Sequence, residues 1–322
     1  MAVYTKVSFE DANNFLEKYY DLGDLLSIKE ITQGVENTNY IIETKYSRYI
    51  LTLYENRVSS KDIPFFINLL VHLDNKNIEC PKPITMKNKK YTETLNGRHA
   101  AIFSFLNGKS IINIKNEHCS LVGETLANIH QKTNNLKIHR ENNLSFKHWS
   151  KLYKSIKNPL TSIKVNLDKE IVNELNFLNI NWPQNLPVGI IHGDLFPDNI
   201  FFNSSSLSGV IDFYFACNEF YAFDIAICIN AWCFEKDNSF NITKAKHLLE
   251  GYRNYRDLSI EELKYLPILC RGSALRFLLT RIIDWQIDDK KALVIPKDPI
   301  EYYNKLKFHQ SVSSVKDYGI YE

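Results

Sequence analysis

The order of strand-like and helix-like segments predicts an α+β fold in two lobes. The first is a small antiparallel β-rich lobe over residues 1–106, and the second a larger, mainly helical lobe over residues 107–322. Three observations carry this. Residues 25–55 alternate apolar and polar side chains between short turns, which is the period of half-buried strands. After Gly108 the apolar spacing becomes helical. Between these regimes and the C-terminus, the stretch IHGDLFPDNIFF (residues 191–202) sets charged and amide side chains between two apolar runs.

In order, Ser8 is placed to cap a first helix, with Asp11 three residues on and Phe9, Ala12, Phe15, Leu16 and Tyr19 at helical spacing. LLSIKEIT, TNYIIET and RYILTLYE then read as a strand meander, its first turn being QGVEN. SSKDIPFFINLLVHLDNKN supplies a helix, with Ser60 or Asp62 at its start and Pro64 early in it. CPKPITM is an extended connector. YTETLNGRHAAIFSFLNG is a hairpin turning at Asn96-Gly97. HCSLVGETLANIHQKT is amphipathic, and residues 145–182 are again helical in pattern. NIFFN and LSGVIDFYF read as two strands around SSSLSG, and helices follow to the end.

Composition narrows the class. The 322 residues are 44% hydrophobic and 24% charged, so a sizeable core is within reach. A formal net charge of +2 argues against a nucleic-acid partner. None of the six cysteines forms a CxxC pair, which points to reduced, buried thiols. The N-terminus has no basic region followed by an apolar run, and the longest apolar stretch, FDIAICINAWCF, contains Asp224 and Asn230. A cytoplasmic protein without a membrane partner is the expectation.

The chemistry concentrates in Asp194, Asn199 and Asp212. Asn199 lies five residues after Asp194, and Asp212 falls at the end of the second strand of the expected hairpin. A carboxylate and an amide carbonyl are hard oxygen ligands suited to Mg²⁺, so Asn199 and Asp212 form a candidate metal pair. Asp194 is left to face an acceptor hydroxyl. An aspartate that orients a hydroxyl, with Asn and Asp on the metal, is the pattern of phosphoryl transfer. A β-rich lobe hinged to a helical one would provide a nucleotide cleft. The HGD triplet also occurs in metallophosphoesterases, but those need a GNH segment downstream, which this chain lacks. His192 and Asp224 read better as braces for the loop than as catalysts, and Asp198 as a turn cap.

IHGDLFPDN followed by VIDF resembles the catalytic loop and metal motif of the aminoglycoside phosphotransferase-like kinases, small-molecule relatives of the protein kinases. QGVENTNYI, RYILTLYE, IPFFINLLVHL, the block DFYFACNEFYAFDIAICINAWCFE, RGSALRFLLTR and PKDP are similar to the homoserine kinase branch of that family. The resemblance implies a protein-kinase-like fold, ATP as donor and L-homoserine as acceptor, giving O-phospho-L-homoserine for threonine biosynthesis. It makes Asp194 the base and gives Mg²⁺ to Asn199 and Asp212. It sets Gly34, Asn37 and Thr38 over the phosphates and the hinge at Ser104, Phe105 and Leu106 on the adenine.

One departure stands out. Thr52 occupies the place where a lysine or arginine of the family grips the α- and β-phosphates, and Lys45, Arg48 and Arg57 are the nearby cations. A homoserine site needs a cation for the carboxylate and an anion or carbonyl for the ammonium. Arg276 is the expected carboxylate partner, with a structural ion pair as the alternative. Tyr214 is a candidate lining residue, and Glu36 a candidate partner for the ammonium. A kinase for choline, an aminoglycoside or a sugar is the alternative, as is an inactive nucleotide-binding relative. Oligomeric state is not legible.

Overall fold

A computed structural model describes residues 4–32, 37–55, 58–204, 206–286 and 296–320. Gly34, Glu36 and Arg57 lie outside the described residues.

The chain divides into two compact units. The first holds the residues up to Gly108 together with Ser208–Tyr214. Its first helix, α1 (Phe9–Tyr19), begins at the expected capping box: Ser8 accepts the N–H of Asp11, whose carboxylate accepts the N–H of Ser8. Strands β1 (Leu25–Ile31), β2 (Thr38–Thr44), β3 (Arg48–Leu53), β4 (Glu93–Leu95) and β5 (Arg98–Ser104) form one antiparallel sheet in the order β1-β2-β3-β5-β4. The period-two pattern in β2 buries Thr38, Tyr40, Ile42 and Thr44. Tyr40 and Ile42 join Phe15 and Leu16 of α1, Leu51, Leu53 and Ile102 in one core. Asn96 and Gly97 take positive φ of 48° and 77° at the β4–β5 turn, the backbone a two-residue hairpin of this kind requires. The helix α2 (Ile63–Asn75) starts at Asp62, with Pro64 in its first turn.

The second unit begins at Lys109. Its helices are α3 (Asn116–Thr133), α4 (Phe146–Lys154), α5 (Leu167–Asn181), α6 (Tyr221–Trp232), α7 (Ile242–Arg253), α8 (Ile260–Gln286) and α9 (Pro299–Ser311). Helices α3 and α7 pack at backbone distance, because a Cβ on Gly123 would collide with the carbonyl of Leu248 and one on Gly251 with that of Ser120. That approach puts His130 of α3 beside Tyr252 of α7.

Three short elements deliver the polar loop. Strand β6 (Val188–Ile191) pairs antiparallel with β9 (Cys217–Phe220), Ile191 opposite Cys217. A strand β7 (Ile200–Asn203) pairs with β8 (Ser206–Val210). The hairpin is as expected, but β8 stops at Val210 instead of running through Asp212. Asp212 adopts a left-handed backbone, φ 63°, which no strand tolerates, and a 3₁₀ turn follows at Phe213–Phe215. Strand β9 was not legible in the sequence: CNEF is four residues long with little alternation. All six cysteines are buried free thiols. No helix among the described residues is long and apolar enough to cross a membrane.

Candidate active site

Residues 192–199 link β6 to β7, and Asp224, in the first turn of α6, organises them. Because β9 pairs with β6 and runs directly into α6, the Asp224 carboxylate comes to lie under the loop. Its Oδ2 accepts the N–H of His192 at 2.7 Å, and its Oδ1 accepts that of Gly193 at 2.9 Å. Two main-chain donors that would otherwise be buried unpaired are thereby satisfied. Gly193 has φ 76°, and a Cβ there would meet the carbonyl oxygen of Phe215 at 2.8 Å, so only glycine fits before Asp194.

Asp224 is fully buried, as is the ring of His130, whose Nε2 lies 3.2 Å from Oδ2. Burial pushes the Asp224 carboxyl up, but His130, His192 and the N–H of Gly193 together outweigh it and hold the group below its ordinary value. Burial lowers His130, with Asp224 opposing. Both directions describe an ionised carboxylate beside a neutral imidazole. On that assignment His130 donates from Nε2 and accepts the Tyr252 hydroxyl at Nδ1, 2.8 Å away. Tyr252 in turn accepts from Arg256, which is paired with buried Glu262 at 2.9 Å. The bracing role expected for His192 takes the form of an N–H from Asp194 to its Nδ1, at 3.3 Å.

Asp194 and Asn199 are brought together. Asn199 donates from Nδ2 to the Asp194 main-chain carbonyl at 2.8 Å and to its Oδ2 at 3.2 Å. With the amide nitrogen so engaged, the hard oxygen Oδ1 of Asn199 is left as the available acceptor, a donor of the type that suits Mg²⁺. Arg276 reaches the same loop from α8, its Nη1 3.8 Å from Asp194 Oδ1 and 3.4 Å from the carbonyl of Gly193. Asp198 makes an exposed ion pair with Lys297 at 3.1 Å. The other arginines of α8 are structural: Arg271 grips Glu174 through two nitrogens, and Arg281 binds Glu301 and the carbonyl of Asp298.

Asp212 and Tyr214 belong to the first unit. Ser208 and Val210 tie that segment to it through the carbonyls of Asn107 and Glu79. Tyr214 packs edge-on against Tyr54 and Phe66. Burial, with the Asp212 carboxylate second, pushes its hydroxyl above the ordinary value, and Thr52 and Tyr54 share hydrogen bonds with it. Thr52 is 2% exposed and donates to Asn39 Oδ1 at 2.7 Å. The position expected from the resemblance to face the phosphates is thus filled by a neutral, hydrogen-bonded side chain. Thr38 donates to buried Glu55 at 2.7 Å and accepts the N–H of Tyr4 at 2.9 Å, so its hydroxyl is committed to the fold. Glu55 is also paired with Arg98 at 3.1 Å. Asn37 accepts the N–H of Glu55, while its buried Nδ2 has no acceptor among the described residues.

Of the cations near Thr52 in the sequence, Arg48 lies over the Phe105 ring at 4.3 Å and donates to Asn107, beside the expected hinge. Ser104 is held to Lys82 through its N–H and its hydroxyl. The main-chain N–H and C=O of Leu106 have no partner among the described residues.

A β-rich unit, a helical unit and a carboxylate–amide loop braced from below define a small-molecule phosphotransferase of the protein-kinase type. Residues 27–258 match the phosphotransferase enzyme family (APH). The chain is 48% identical over 320 residues to a homoserine kinase of Sinorhizobium medicae, covering 99% of this chain and 98% of that one. It is likewise 48% identical over 326 residues to a homoserine kinase of Paramagnetospirillum magneticum, covering 99% and 100%. The chain belongs to the phosphotransferase enzyme family and, within it, to the homoserine kinases. Solved structures with the same fold include an amicoumacin kinase in complex with AMP-PNP, Ca²⁺ and Ami, with a TM-score of 0.72 at 14% identity over 94% of each chain. Another is a spectinomycin phosphotransferase in complex with ADP and spectinomycin, with a TM-score of 0.67 at 15% identity over 98% of each.

Proposed function

We infer that the protein is an ATP-dependent homoserine kinase that converts L-homoserine to O-phospho-L-homoserine, a step of threonine biosynthesis. The observation that carries this reading is near-half identity to homoserine kinases along the full chain, together with the Asp194–Asn199 pair on the loop held by Asp224. Asp194 is the proposed base. Its carboxylate orients the side-chain hydroxyl, whose oxygen forms a bond to the γ-phosphorus as the bond to the β,γ-bridging oxygen breaks. The hydroxyl proton passes to Asp194, and ADP leaves. The transition state is loose, so a carboxylate needs only to aim the nucleophile and take the proton late.

Asn199 and Asp212 are the proposed Mg²⁺ ligands. The bound ion would neutralise charge on the β- and γ-phosphates. Asn37 is the proposed side-chain phosphate contact, supported by its buried, unmet Nδ2. Gly34 is assigned beside it by resemblance alone. Leu106 is the proposed adenine contact, supported by its unengaged main chain. Ser104, Thr38 and Thr52 then serve by shaping the strands and hinge that present these groups. Tyr214 and Glu36 remain the proposed lining and ammonium partners. Arg276 has two available roles, toward the acceptor carboxylate or toward Asp194.

The test is ADP release with MgATP and L-homoserine, D-homoserine, L-serine, choline or kanamycin. Turnover with L-homoserine, lost in Asp194→Ala, is expected. Turnover only with another alcohol would keep the mechanism and reject the acceptor.

A further inference from the structure

The environment of Arg276 distinguishes its two roles. It sits in the middle of α8, where Ala274, Leu275, Phe277 and Leu278 are all buried, and its own side chain is 5% exposed. The guanidinium is 3.9 Å from the centroid of the Phe277 ring and 5.4 Å from that of Phe215. The charged and titratable groups facing it are Asp194, Asp224, Tyr302 and Cys217. Burying a guanidinium costs several kcal/mol unless an anion and hydrogen bonds offset it. The contacts that do so are Asp194 Oδ1 at 3.8 Å and the carbonyl of Gly193 at 3.4 Å.

Asn199 already holds the other oxygen of the same carboxylate, Oδ2. Asp194 therefore has an amide hydrogen-bonded to one oxygen and a guanidinium at ion-pair distance from the other. Its side chain, 20% exposed, is the more open member of the pair. A free carboxylate rotates about its terminal torsion across a broad range. Two partners on different oxygens restrict that freedom before substrate arrives, which is what a base that works by aim requires.

Resting on the reading of Asp194 as the base, we propose that Arg276 is a positioning residue: it fixes the Asp194 carboxylate and the Gly193 peptide in the orientation that receives the acceptor hydroxyl, and it does not bind the acceptor's carboxylate.

The experiment compares wild type, Arg276→Lys and Arg276→Met, each checked for a cooperative thermal transition. Steady-state kinetics with L-homoserine and MgATP are measured, and crystal structures of wild type and R276M are determined with MgADP. R276M is expected to lower kcat about 100-fold, the scale of a 1 Å misplacement, with both KM values within about threefold of wild type. The Lys variant, which keeps the charge, is expected to recover part of kcat. The crystal structure of R276M is expected to show the Asp194 carboxylate turned away from its wild-type position.

A rise in KM for L-homoserine with kcat preserved would overturn the proposal and return Arg276 to the acceptor. Unchanged kinetics would overturn it as well. If wild type does not phosphorylate L-homoserine, the functional reading fails separately, and the crystal structures decide: an unmoved Asp194 in R276M overturns the positioning role.

Discussion

Asn199 binds Asp194 twice, through the main-chain carbonyl and through Oδ2, so the proposed metal ligand and the proposed base are one mechanical unit. The loop folds back on itself over five residues, closed by this amide together with the Phe196 N–H to the Asp194 carbonyl and the Asn199 N–H to the Phe196 carbonyl. Whatever engages Asn199 Oδ1 therefore also stabilises the orientation of Asp194.

Asp194→Ala removes the group that aims the hydroxyl. Turnover should fall by a factor of about 10² or more, while the KM for MgATP stays close to wild type. Initial-rate kinetics at saturating L-homoserine check this, and a near-wild-type rate would reject Asp194 as the base.

Asp212→Asn keeps the shape of the side chain and removes a charge from the proposed metal pair. The Mg²⁺ concentration for half-maximal rate should rise and kcat should fall together. A rate titration against MgCl₂ at fixed ATP reads both, and an unshifted titration would contradict the ligand role.

Asp224→Ala strips the acceptor from two buried main-chain N–H groups and the partner from His130. The expected loss of stability is about 2–6 kcal/mol, about 1–3 for each of the two N–H groups left unsatisfied, with activity lost even in the fraction that remains folded. Urea denaturation gives the first quantity and specific activity at low temperature the second.

Thr52→Lys tests whether a missing cation weakens nucleotide binding. Thr52 is buried and bonded to Asn39, so a lysine there must either bury its charge or break the Thr52–Asn39–Tyr214 contacts. The expected result is a lower melting temperature with no gain in ATP affinity. Thr52→Val should cost about 1–3 kcal/mol, because it leaves Asn39 Oδ1 and the Tyr214 hydroxyl without their shared partner. A tighter KM for ATP in the lysine variant would show that the position retains its phosphate-gripping geometry.

Stability should decline on acidification. Burial holds His309 at a pKa of about 3, where its Nδ1 lies 2.7 Å from the Tyr318 hydroxyl and Nε2 3.2 Å from Asn230 Oδ1. Burial also lowers His130. Between about pH 6.5 and the folded value the unfolded chain binds a proton that the folded one does not. The contribution is thus fully present above pH 6.5 and is lost as pH falls toward 3, at roughly 1.4 kcal/mol per pH unit for His309. Asp224, held low, adds its own loss only below its ordinary carboxylate range. Thermal melts from pH 7.5 to 4.5 read the slope, and His309→Gln should flatten it.

The elements of the β-rich unit were legible because each rests on a local rule: the Ser8 capping box, the alternation in β2, the left-handed pair Asn96-Gly97. Strand β9 was not legible, since four residues carry too little pattern and its formation depends on β6, whose Val188 pairs with Phe220 at a distance of 32 positions. The spacing of Asp194, Asn199 and Asp212 named the chemistry, because residue type and loop context limit what a carboxylate and an amide between strands can do. The sequence alone therefore determined the fold class and the phosphotransferase family, and it put forward Asp194, Asn199 and Asp212 as the candidate reacting residues. Only the tertiary structure decided that Asp224 holds the loop by two main-chain N–H groups, that the hydroxyls of Thr38 and Thr52 are committed to Glu55 and Asn39, and that Arg276 faces Asp194. Those facts depend on contacts between positions far apart in the chain. Whether a buried polar group finds its partner is settled by packing, which no local spacing records.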